Sequence, residues 1–518
     1  MAAFSPSAFY SGNSEAFSES EDDFSDEVNY VAPSDTEESD STEASEEENE
    51  DDFDPLPFTV PNPGSQVSSS NVKCELDYFQ LFFTDQLIEQ IVRETNRYAR
   101  DKISSAGVLQ QYSIWNDWEY VRVEEFKAFL EVIVNMALNP KPELKEYFSN
   151  DLLKKMPFFP HVFKRKRFLQ IFWMLHVAPS PHTSSGPSTR GSKIRDVVTY
   201  IDAKCREHFN AGPKICVDES TVGFKGRVSF KCYNPQKPTK WGMRVYALAD
   251  CQTGYISAFE PYYGSTTTDS LCRPELPFTC RILLHLLEKV EQATPGSGYH
   301  LYTDRFYTSP MLAEELLSHS ILLTGTVMTN RKQMPQQLKK KMKKGEVTAY
   351  FRGNSYMALA WRDKRQVTML SSAHNASTKE VPRKMAGGKT LTLKKPVVIC
   401  DYTENMVAVD RADHYCASYA FSRKSMKWWR KLFFLASGSF DSEQLHFDET
   451  AAPEAGRKRA ATPPVLEEPD RAAGWWRKGS RWEAGPICKI GLRTKAARKA
   501  PFHLQAPWPK QQGLRCLQ

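Results

Sequence analysis

The chain has 518 residues and a formal net charge of +5, and this length predicts roughly two to four domains. Its 11 cysteines show no paired CxxC spacing, and no apolar run reaches the roughly 18 residues that a membrane span needs. These features favour free thiols in a reducing, intracellular compartment, no membrane contact and no zinc site.

The net charge hides a strong asymmetry along the chain. Residues 1–72 contain 19 Asp and Glu and no Lys or Arg, so the remainder carries all 68 basic residues against 44 acids. A segment of this composition buries too little apolar area to offset chain entropy, which predicts disorder over 1–72. A basic body favours a polyanionic partner, most simply nucleic acid, although solvated charge with a solubilising tail remains an alternative.

The first ordered region predicted by periodicity is helical. Thr84 is a candidate N-cap for a helix that begins at Asp85. Apolar residues recur at helical spacing in three further stretches, which cover 123–138, 161–176 and 196–209. The aromatic residues of this region are more typical of a core than of platforms for base stacking.

Alternating strand and helix patterns follow and predict a mixed sheet with helical cover. Strands are expected near 215–217, 243–248, 255–259, 299–302 and 321–327, and helices near 281–292 and 311–319. A basic, β-rich segment comes next, with short strands near 348–352, 357–362 and 367–371.

The last patterned region predicts an apolar strand that ends at Asp401, and then a helix. On that helix Asp410 and Asp413 are three residues apart and share one face. A basic and aromatic helix is expected over 423–434, and the region beyond residue 440 shows no sustained periodicity, which predicts an unstructured tail.

Three carboxylates stand where strands end or helices begin, at Asp218, Asp304 and Asp410. Carboxylate oxygens are the ligands that Mg²⁺ and Mn²⁺ prefer, and two such ions support phosphodiester hydrolysis and transfer. Basic residues that follow Asp218 would bind the phosphates of the substrate. Taken alone, each aspartate is weak evidence, because an acidic turn after a buried strand is common.

Several long motifs resemble those of piggyBac-type transposases and the host proteins derived from them. They span about residues 74–436 and include VDESTVGFKGR, NPQKPTKWGMRVYALAD, YTDRFYTSP, TGTVMTNRKQMP, DYTENMVAVDRAD and SRKSMKWWRKLFF. The resemblance implies an α/β protein with a ribonuclease-H-like catalytic core and a β-rich insertion. It also implies a helical domain for DNA binding and dimerisation, built from segments on both sides of the core.

The resemblance also implies site residues and partners. It assigns catalytic and metal-binding roles to Asp218, Asp304 and Asp410, with Asp413 as an additional acidic position and Mg²⁺ or Mn²⁺ as the cofactor. The implied partners are DNA and a second copy of the chain, and the implied location is the nucleus. The candidate DNA contacts are Lys225, Arg227, Lys240, Arg331, Lys332, Arg423, Lys424, Lys427 and Arg430.

The expected domain boundaries combine periodicity with the resemblance. The acidic tail covers 1–72, the helical domain 73–212, the two parts of the core 213–330 and 396–422, and the insertion 331–395. Residues 423–440 are expected to be a remnant of the second half of the helical domain, and 441–518 a disordered basic tail.

The chain departs from the family pattern in three places. Arg305 follows Asp304, Val407 and Ala408 replace a Gly-Gly pair, and the pattern is lost after Leu435. We therefore expect the helix over 423–434 to lack covering neighbours and to expose its aromatic residues.

Three functions remain open at this stage. One is DNA binding by a domesticated transposase, and a second is active strand transfer at TTAA-type ends. The third is an inactive adaptor that recruits chromatin or nuclear proteins through the acidic tail.

Overall fold

The structure is a computed structural model that describes residues 53, 56–68, 72, 75–178, 190–235, 239–384, 390–419, 421, 423 and 425–435. The predicted C-terminal tail at 441–518 and most of the predicted acidic tail lie outside these residues. None of the described helices is long and apolar enough to cross a membrane.

Twelve helices of this part of the chain fall in two groups. The N-terminal group is α1 Glu75–Phe82, α2 Asp85–Ser105, α3 Val123–Leu138, α4 Phe158–Val162, α5 Arg165–Met174 and α6 Arg195–His208. The second group is α7 Ser265–Ser270, α8 Phe278–Ala293, α9 Pro310–Ser318, α10 Val397–Asn405, α11 Ala408–Tyr419 and α12 at 428–435.

The strands of the described residues form one large sheet and two small pairs. The first nine in chain order are β1 Gly64–Ser65, β2 Phe209–Asn210, β3 Lys214–Gly223, β4 Cys232–Tyr233, β5 Trp241–Asp250, β6 Ile256–Pro261, β7 His300–Thr303, β8 Leu322–Thr326 and β9 Val347–Arg352. The other four are β10 Tyr356–Arg362, β11 Gln366–Ser371, β12 Thr378–Lys384 and β13 Thr390–Pro396.

The sequence pattern predicted the helical region well. The Thr84 side chain accepts a hydrogen bond from the amide of Leu87 at 3.3 Å, which confirms it as the N-cap of α2. Helix α3 has the bounds predicted from its apolar spacing. The single helix expected over 161–176 is instead divided into α4 and α5, because Phe163 and Lys164 adopt extended backbone angles between them.

The large sheet is mixed, which is consistent with the ribonuclease-H-like core that the resemblance implies. Its central part runs β6-β5-β3-β7-β8, with β3, β5 and β6 antiparallel and β3, β7 and β8 parallel. Helices α8 and α9 pack on one face, and α10 and α11 pack on the other. The protein is therefore a mixed α/β fold, as the alternating pattern predicted.

The segment predicted as a β-rich insertion continues this sheet. Strand β11 pairs antiparallel with β8, and β10 and β9 follow it outward, while β12 and β13 form a separate two-stranded pair. The three short strands predicted from the sequence are thus present, and they lie edge to edge with the core strands.

The segment that ends at Asp401 is a helix, and the predicted strand there is wrong. Val397, Val398 and Ile399 suggested a strand because they are β-branched. Pro396 fixes the extended entry to α10, and Val398 and Ile399 are buried against strands β10 and β11. Tertiary packing on the sheet has overridden local propensity here.

Helix α12 is covered, which contradicts the expectation of exposed aromatic residues. Trp428, Trp429, Leu432, Phe433 and Phe434 are each at most 5% exposed. They join the same apolar cluster as the N-terminal helices. The covering contacts come from Phe83 directly after α1, Phe172 of α5, His176 and Phe230 in the loop before β4.

Residues 56–68 are ordered, so the predicted disorder over 1–72 is wrong for this part. Phe58 packs edge-on against Tyr299 with ring centroids 5.4 Å apart, and Val60 is 5% exposed in the core beneath α8 and α9. Strand β1 pairs antiparallel with β2. We call residues 56–68 the N-terminal strap, because they cross the surface from Tyr299 to the end of α6.

Candidate functional site

Asp218 and Asp304 lie at corresponding positions of two neighbouring parallel strands. The pairing of β3 with β7 places Val217 opposite Thr303, so Asp218 comes next on β3 and Asp304 comes directly after the end of β7. Adjacent strands are about 4.8 Å apart, which brings the two backbones close. This register brings these two predicted site residues to the same part of the sheet.

Burial and the charges of both carboxylates raise the pKa of the same tyrosine, Tyr402. Tyr402 of α10 has its pKa raised to about 12, first by burial and then by the negative charges of Asp304 and Asp218. Cys216 and Tyr302 precede the two aspartates by two residues each and are buried beneath the start of α11. Because side chains alternate along a strand, Asp218 lies on this α11 side of the sheet.

The loop after β7 fixes Asp304. Its carboxylate accepts a hydrogen bond from the amide of Phe306 at 2.9 Å, and its carbonyl accepts one from the Thr308 hydroxyl at 2.8 Å. Burial raises the pKa of Asp304 above its usual value, because the charged form loses hydration. A divalent cation would relieve this cost, so the residue fits a metal ligand.

Gly325 is required for close packing beneath this loop. It lies opposite Thr303 in the parallel pairing of β7 with β8. A Cβ atom at this position would lie 2.2 Å from the Thr308 hydroxyl and 2.6 Å from the Thr303 carbonyl. Only glycine lets β8 approach the strand end that carries Asp304.

Helix α11 packs on this face of the sheet and carries two more carboxylates. Asp410 lies in its first turn and is exposed, and Asp413 follows about one turn later. The Ser220 hydroxyl of β3 donates to Asp413 at 2.5 Å, so Asp413 contacts the strand of Asp218. The start of α11 is held by Ala408 and Val409, which are buried against the sheet.

The structure does not gather the three predicted ligands into one tight cluster. Within the described residues, His300, His374 and Asp401 form the one group of three potential ligands whose donor atoms all lie within 4.8 Å of one another. The sequence did not single out this group, since its members are far apart along the chain. Asp401 was noted only as the end of a predicted strand.

Glu219 is anchored on the opposite face of the sheet. Its carboxylate accepts a hydrogen bond from the Tyr307 hydroxyl at 2.9 Å and lies 3.8 Å from the Arg244 guanidinium. Burial, followed by the charge of Glu219, raises the pKa of Tyr307 well above its usual value. These contacts fix the chain directly after Asp218.

The predicted DNA contacts fall into two groups by exposure. Lys225, Arg227, Lys240 and Lys332 are exposed, as contacts with phosphates require. Lys424 lies outside the described residues. Arg331 is partly buried and donates to the Phe306 carbonyl at 2.6 Å, where it supports the loop of Asp304.

The remaining three cations belong to the helical region. Arg423 donates to the Pro142 carbonyl at 2.7 Å, and Lys427 lies over the Tyr98 ring at 5.2 Å from its centroid. Arg430 is 1% exposed and donates to the Trp173 carbonyl at 2.8 Å. A phosphate cannot reach Arg430 in this arrangement, so its proposed DNA contact is corrected to a role in packing.

A second basic surface lies on the sheet extension. Lys341, Lys343, Lys344, Arg362 and Lys364 line a cavity of about 620 Å³ at the end of the β9–β10 pair. Clustered cations of this kind suit a polyanion, because each phosphate contact releases counterions. The run of lysines was visible in the sequence, but the contribution of Arg362 and Lys364 required the pairing of the strands.

Comparison with known proteins is consistent with this geometry. A family model described as Transposase IS4 matches residues 74–438. The human PiggyBac transposable element-derived protein 3 is 27% identical over 386 residues, which cover 72% of this chain and 61% of that protein. The human PiggyBac transposable element-derived protein 2 is 24% identical over 401 residues, covering 75% and 64%. The chain thus spans less than two thirds of the length of either relative.

A solved structure shows the same fold. The cryo-EM structure of a piggyBac transposase synaptic complex with hairpin DNA aligns with a TM-score of 0.62 and 23% identity, covering 75% of this chain and 77% of that chain. The family match extends over more than half of the sequence and includes all three predicted catalytic aspartates. The chain therefore belongs to the Transposase IS4 family, in its piggyBac-type branch.

Proposed function

We propose that this chain is a piggyBac-derived DNA-binding protein that retains metal-dependent cleavage and strand transfer at TTAA-type ends. The observation that carries this proposal is the register of β3 and β7, which sets Asp218 beside Asp304. Helix α11, which carries Asp410 and Asp413, packs on the same face of the sheet. A nuclear location and a homodimer are part of the proposal.

The carboxylates of Asp218 and Asp304, on adjacent strands, suit a divalent cation. Asp218, Asp304 and Asp410 would hold Mg²⁺ or Mn²⁺ through carboxylate oxygens. The bound ions would activate the attacking oxygen and stabilise the leaving one. The chain itself contributes the anchored loop of Asp304 and exposed cations such as Lys225 and Arg227, which would hold the phosphates near these carboxylates.

The direct test is cleavage of a labelled duplex that ends in a TTAA-flanked transposon-type end. With Mg²⁺ we expect nicking by the full chain, and a loss of at least about a hundredfold in Asp218→Asn or Asp304→Asn, since each removes a charged ligand. Asp101→Asn is the matched control, because its side chain is 44% exposed and lies on α2. Nicking that survives both ligand substitutions would refute the assignment of the site.

DNA binding is tested separately from cleavage. Neutralising Lys225 and Arg227 together should weaken binding to all sequences and reduce the salt slope by about 1.8, or roughly 0.9 for each phosphate that the protein no longer neutralises. Lys155→Ala, at another exposed lysine, should leave the slope unchanged. An affinity that does not depend on salt would contradict the electrostatic basis of the proposal.

One observation favours the alternative of an inactive DNA-binding adaptor. Asp410 is exposed, and the three aspartates do not form a tight cluster among the described residues. If the chain binds DNA with a normal salt slope but shows no metal-dependent nicking with Mg²⁺ or Mn²⁺, this alternative is favoured. Recruitment of chromatin or nuclear proteins through the acidic tail would then be its remaining activity.

A further inference from the structure

A polar network lies on the face of the sheet beneath α10 and is centred on Asp401. The Lys214 ammonium group at the start of β3 lies 2.7 Å from Asp401 Oδ1. The Tyr302 hydroxyl of β7 donates to Asp401 Oδ2 at 2.5 Å, and His374 Nε2 lies 3.3 Å from the same oxygen. One carboxylate of α10 therefore contacts both strands that carry the aspartates of the proposed site.

The network continues across the parallel strands. The Tyr302 hydroxyl lies 3.0 Å from His300 Nδ1, and His300 Nε2 lies 2.8 Å from the Thr324 hydroxyl of β8. Burial, and then the neighbouring His374, lowers the pKa of His300 to about 3, so its ring is neutral at physiological pH. A neutral ring can donate from one nitrogen and accept at the other, which satisfies both contacts.

A short connection links this network to α11. The Asn405 side chain donates to the Asp401 carbonyl at 2.8 Å and to its carboxylate at 3.1 Å. Only Met406 and Val407 separate α10 from α11, and the Met406 amide donates to the Tyr402 carbonyl at 3.0 Å. A displacement of Asp401 would therefore move the start of α11, where Asp410 lies.

We propose that Asp401 is a positioning residue that holds α10, and through it Asp410 on α11, against the strands of Asp218 and Asp304. This inference rests on the proposed function for its catalytic consequence. The anchoring itself is a property of the fold. Although burial alone would raise the pKa of Asp401, hydrogen bonds from His374, Lys214 and Tyr302 lower it, so the carboxylate is charged and can serve as the anchor.

The same residues could be read as a metal centre, since His300, His374 and Asp401 lie within 4.8 Å of one another. The contacts argue against this. The Lys214 ammonium group already balances the Asp401 charge at 2.7 Å, and a second cation would be repelled by it. Each nitrogen of both imidazole rings also has a polar neighbour within 3.3 Å.

Asp401→Asn is the main variant, because it preserves shape and removes the charge, and Tyr302→Phe removes a single hydrogen bond. Asp202→Asn is the matched control. Asp202 is also buried and pairs with two cations, Arg206 at 2.7 Å and Lys289 at 3.2 Å, but it anchors α6. All three variants are expected to lower thermal stability, so stability alone does not distinguish them.

Hydrogen exchange and metal dependence separate anchoring from general destabilisation. In Asp401→Asn we expect amides 411–419 to exchange at least about tenfold faster, while α8 and α9 are unchanged. The Mn²⁺ concentration for half-maximal cleavage should rise about tenfold, with kcat reduced at low Mn²⁺ and KM for DNA unchanged. Asp202→Asn should alter neither quantity.

Three results would overturn the inference. The first is wild-type exchange over 411–419 in Asp401→Asn. The second is an equal acceleration over α8, α9 and α11. The third is about one equivalent of Zn²⁺ in the purified protein that is absent from His374→Ala, which would make the network a metal site. If the wild-type chain cleaves no DNA, the proposed function fails, but the exchange experiment still decides whether Asp401 anchors α11.

Discussion

Substitution of Phe433 by alanine should strongly destabilise the helical region, because the Phe433 side chain packs α12 against the N-terminal helices. Phe433 is 0% exposed, and its ring lies 6.2 Å from that of Phe83 in an edge-to-face contact. A buried aromatic of about 200 Å² contributes on the order of 5 kcal/mol at 25 cal/mol per Å². Measured Phe→Ala changes in cores cost about 3 to 5 kcal/mol, which agrees.

Thermal unfolding by circular dichroism measures this cost. A loss of about 3 to 5 kcal/mol corresponds to a Tm lower by on the order of 10 °C for a region of this size. Met426→Ala is the matched control, since Met426 is 78% exposed two residues before α12, and it should change stability by less than about 0.5 kcal/mol.

The opposite result would restore the expectation drawn from the sequence. If Phe433→Ala costs less than about 1 kcal/mol, α12 does not share a core with the N-terminal helices in solution. The aromatic residues of 428–434 would then be exposed, and the chain should aggregate or require a partner. A large cost with a monodisperse wild-type protein refutes that expectation instead.

Three other predictions follow from the site and from the N-terminal strap. Asp304→Asn should abolish metal-dependent cleavage but raise Tm at pH 7. Burial raises the pKa of Asp304, so the charged carboxylate lowers the stability of the folded protein at pH values above that pKa. The gain in Tm should vanish below about pH 4, and a lower Tm at pH 7 would contradict this reasoning. His300→Gln should reduce the loss of stability at acid pH. The pKa of His300 is about 3 in the folded chain against 6.5 in the unfolded chain, so wild-type stability falls by at most about 1.4 kcal/mol per pH unit as pH drops through that window. Equal slopes of stability against pH in the two proteins would exclude this role. Deleting residues 1–52 should strengthen DNA binding without lowering Tm, because it removes only acidic charge that competes with DNA for the same cations. Deleting residues 1–72 should also lower Tm, because it removes Phe58 and Val60. Equal Tm values for the two deletions would show that the N-terminal strap contributes nothing to stability.

Local patterns were sufficient to predict the elements whose own residues carry a clear capping or spacing signal. The N-cap at Thr84, the bounds of α3 and the strands around Asp218 and Asp304 follow from side-chain type and spacing alone. The two aspartates were singled out because each follows an apolar run, and the register of β3 with β7 then explains why they are neighbours.

The errors share one physical cause, which is a partner distant in sequence. Val397 to Ile399 form a helix because strands β10 and β11 offer a surface for it, and no local signal shows that surface. Phe58 is ordered by Tyr299, and Arg430 is buried by Trp173 and its neighbours. The composition of 1–72 and the charge of 423–431 were correctly described, but contacts across the fold decided the outcome.

The contact between Phe83 and Phe433 has a consequence for the synthesis of the chain. About 350 residues separate the two rings, and at roughly 5 to 20 residues per second the ribosome needs about 20 to 70 s to add them. During that interval Phe83, Phe172 and their neighbours have emerged without the helix that seals them. The nascent N-terminal helices should therefore depend on chaperones until α12 leaves the exit tunnel.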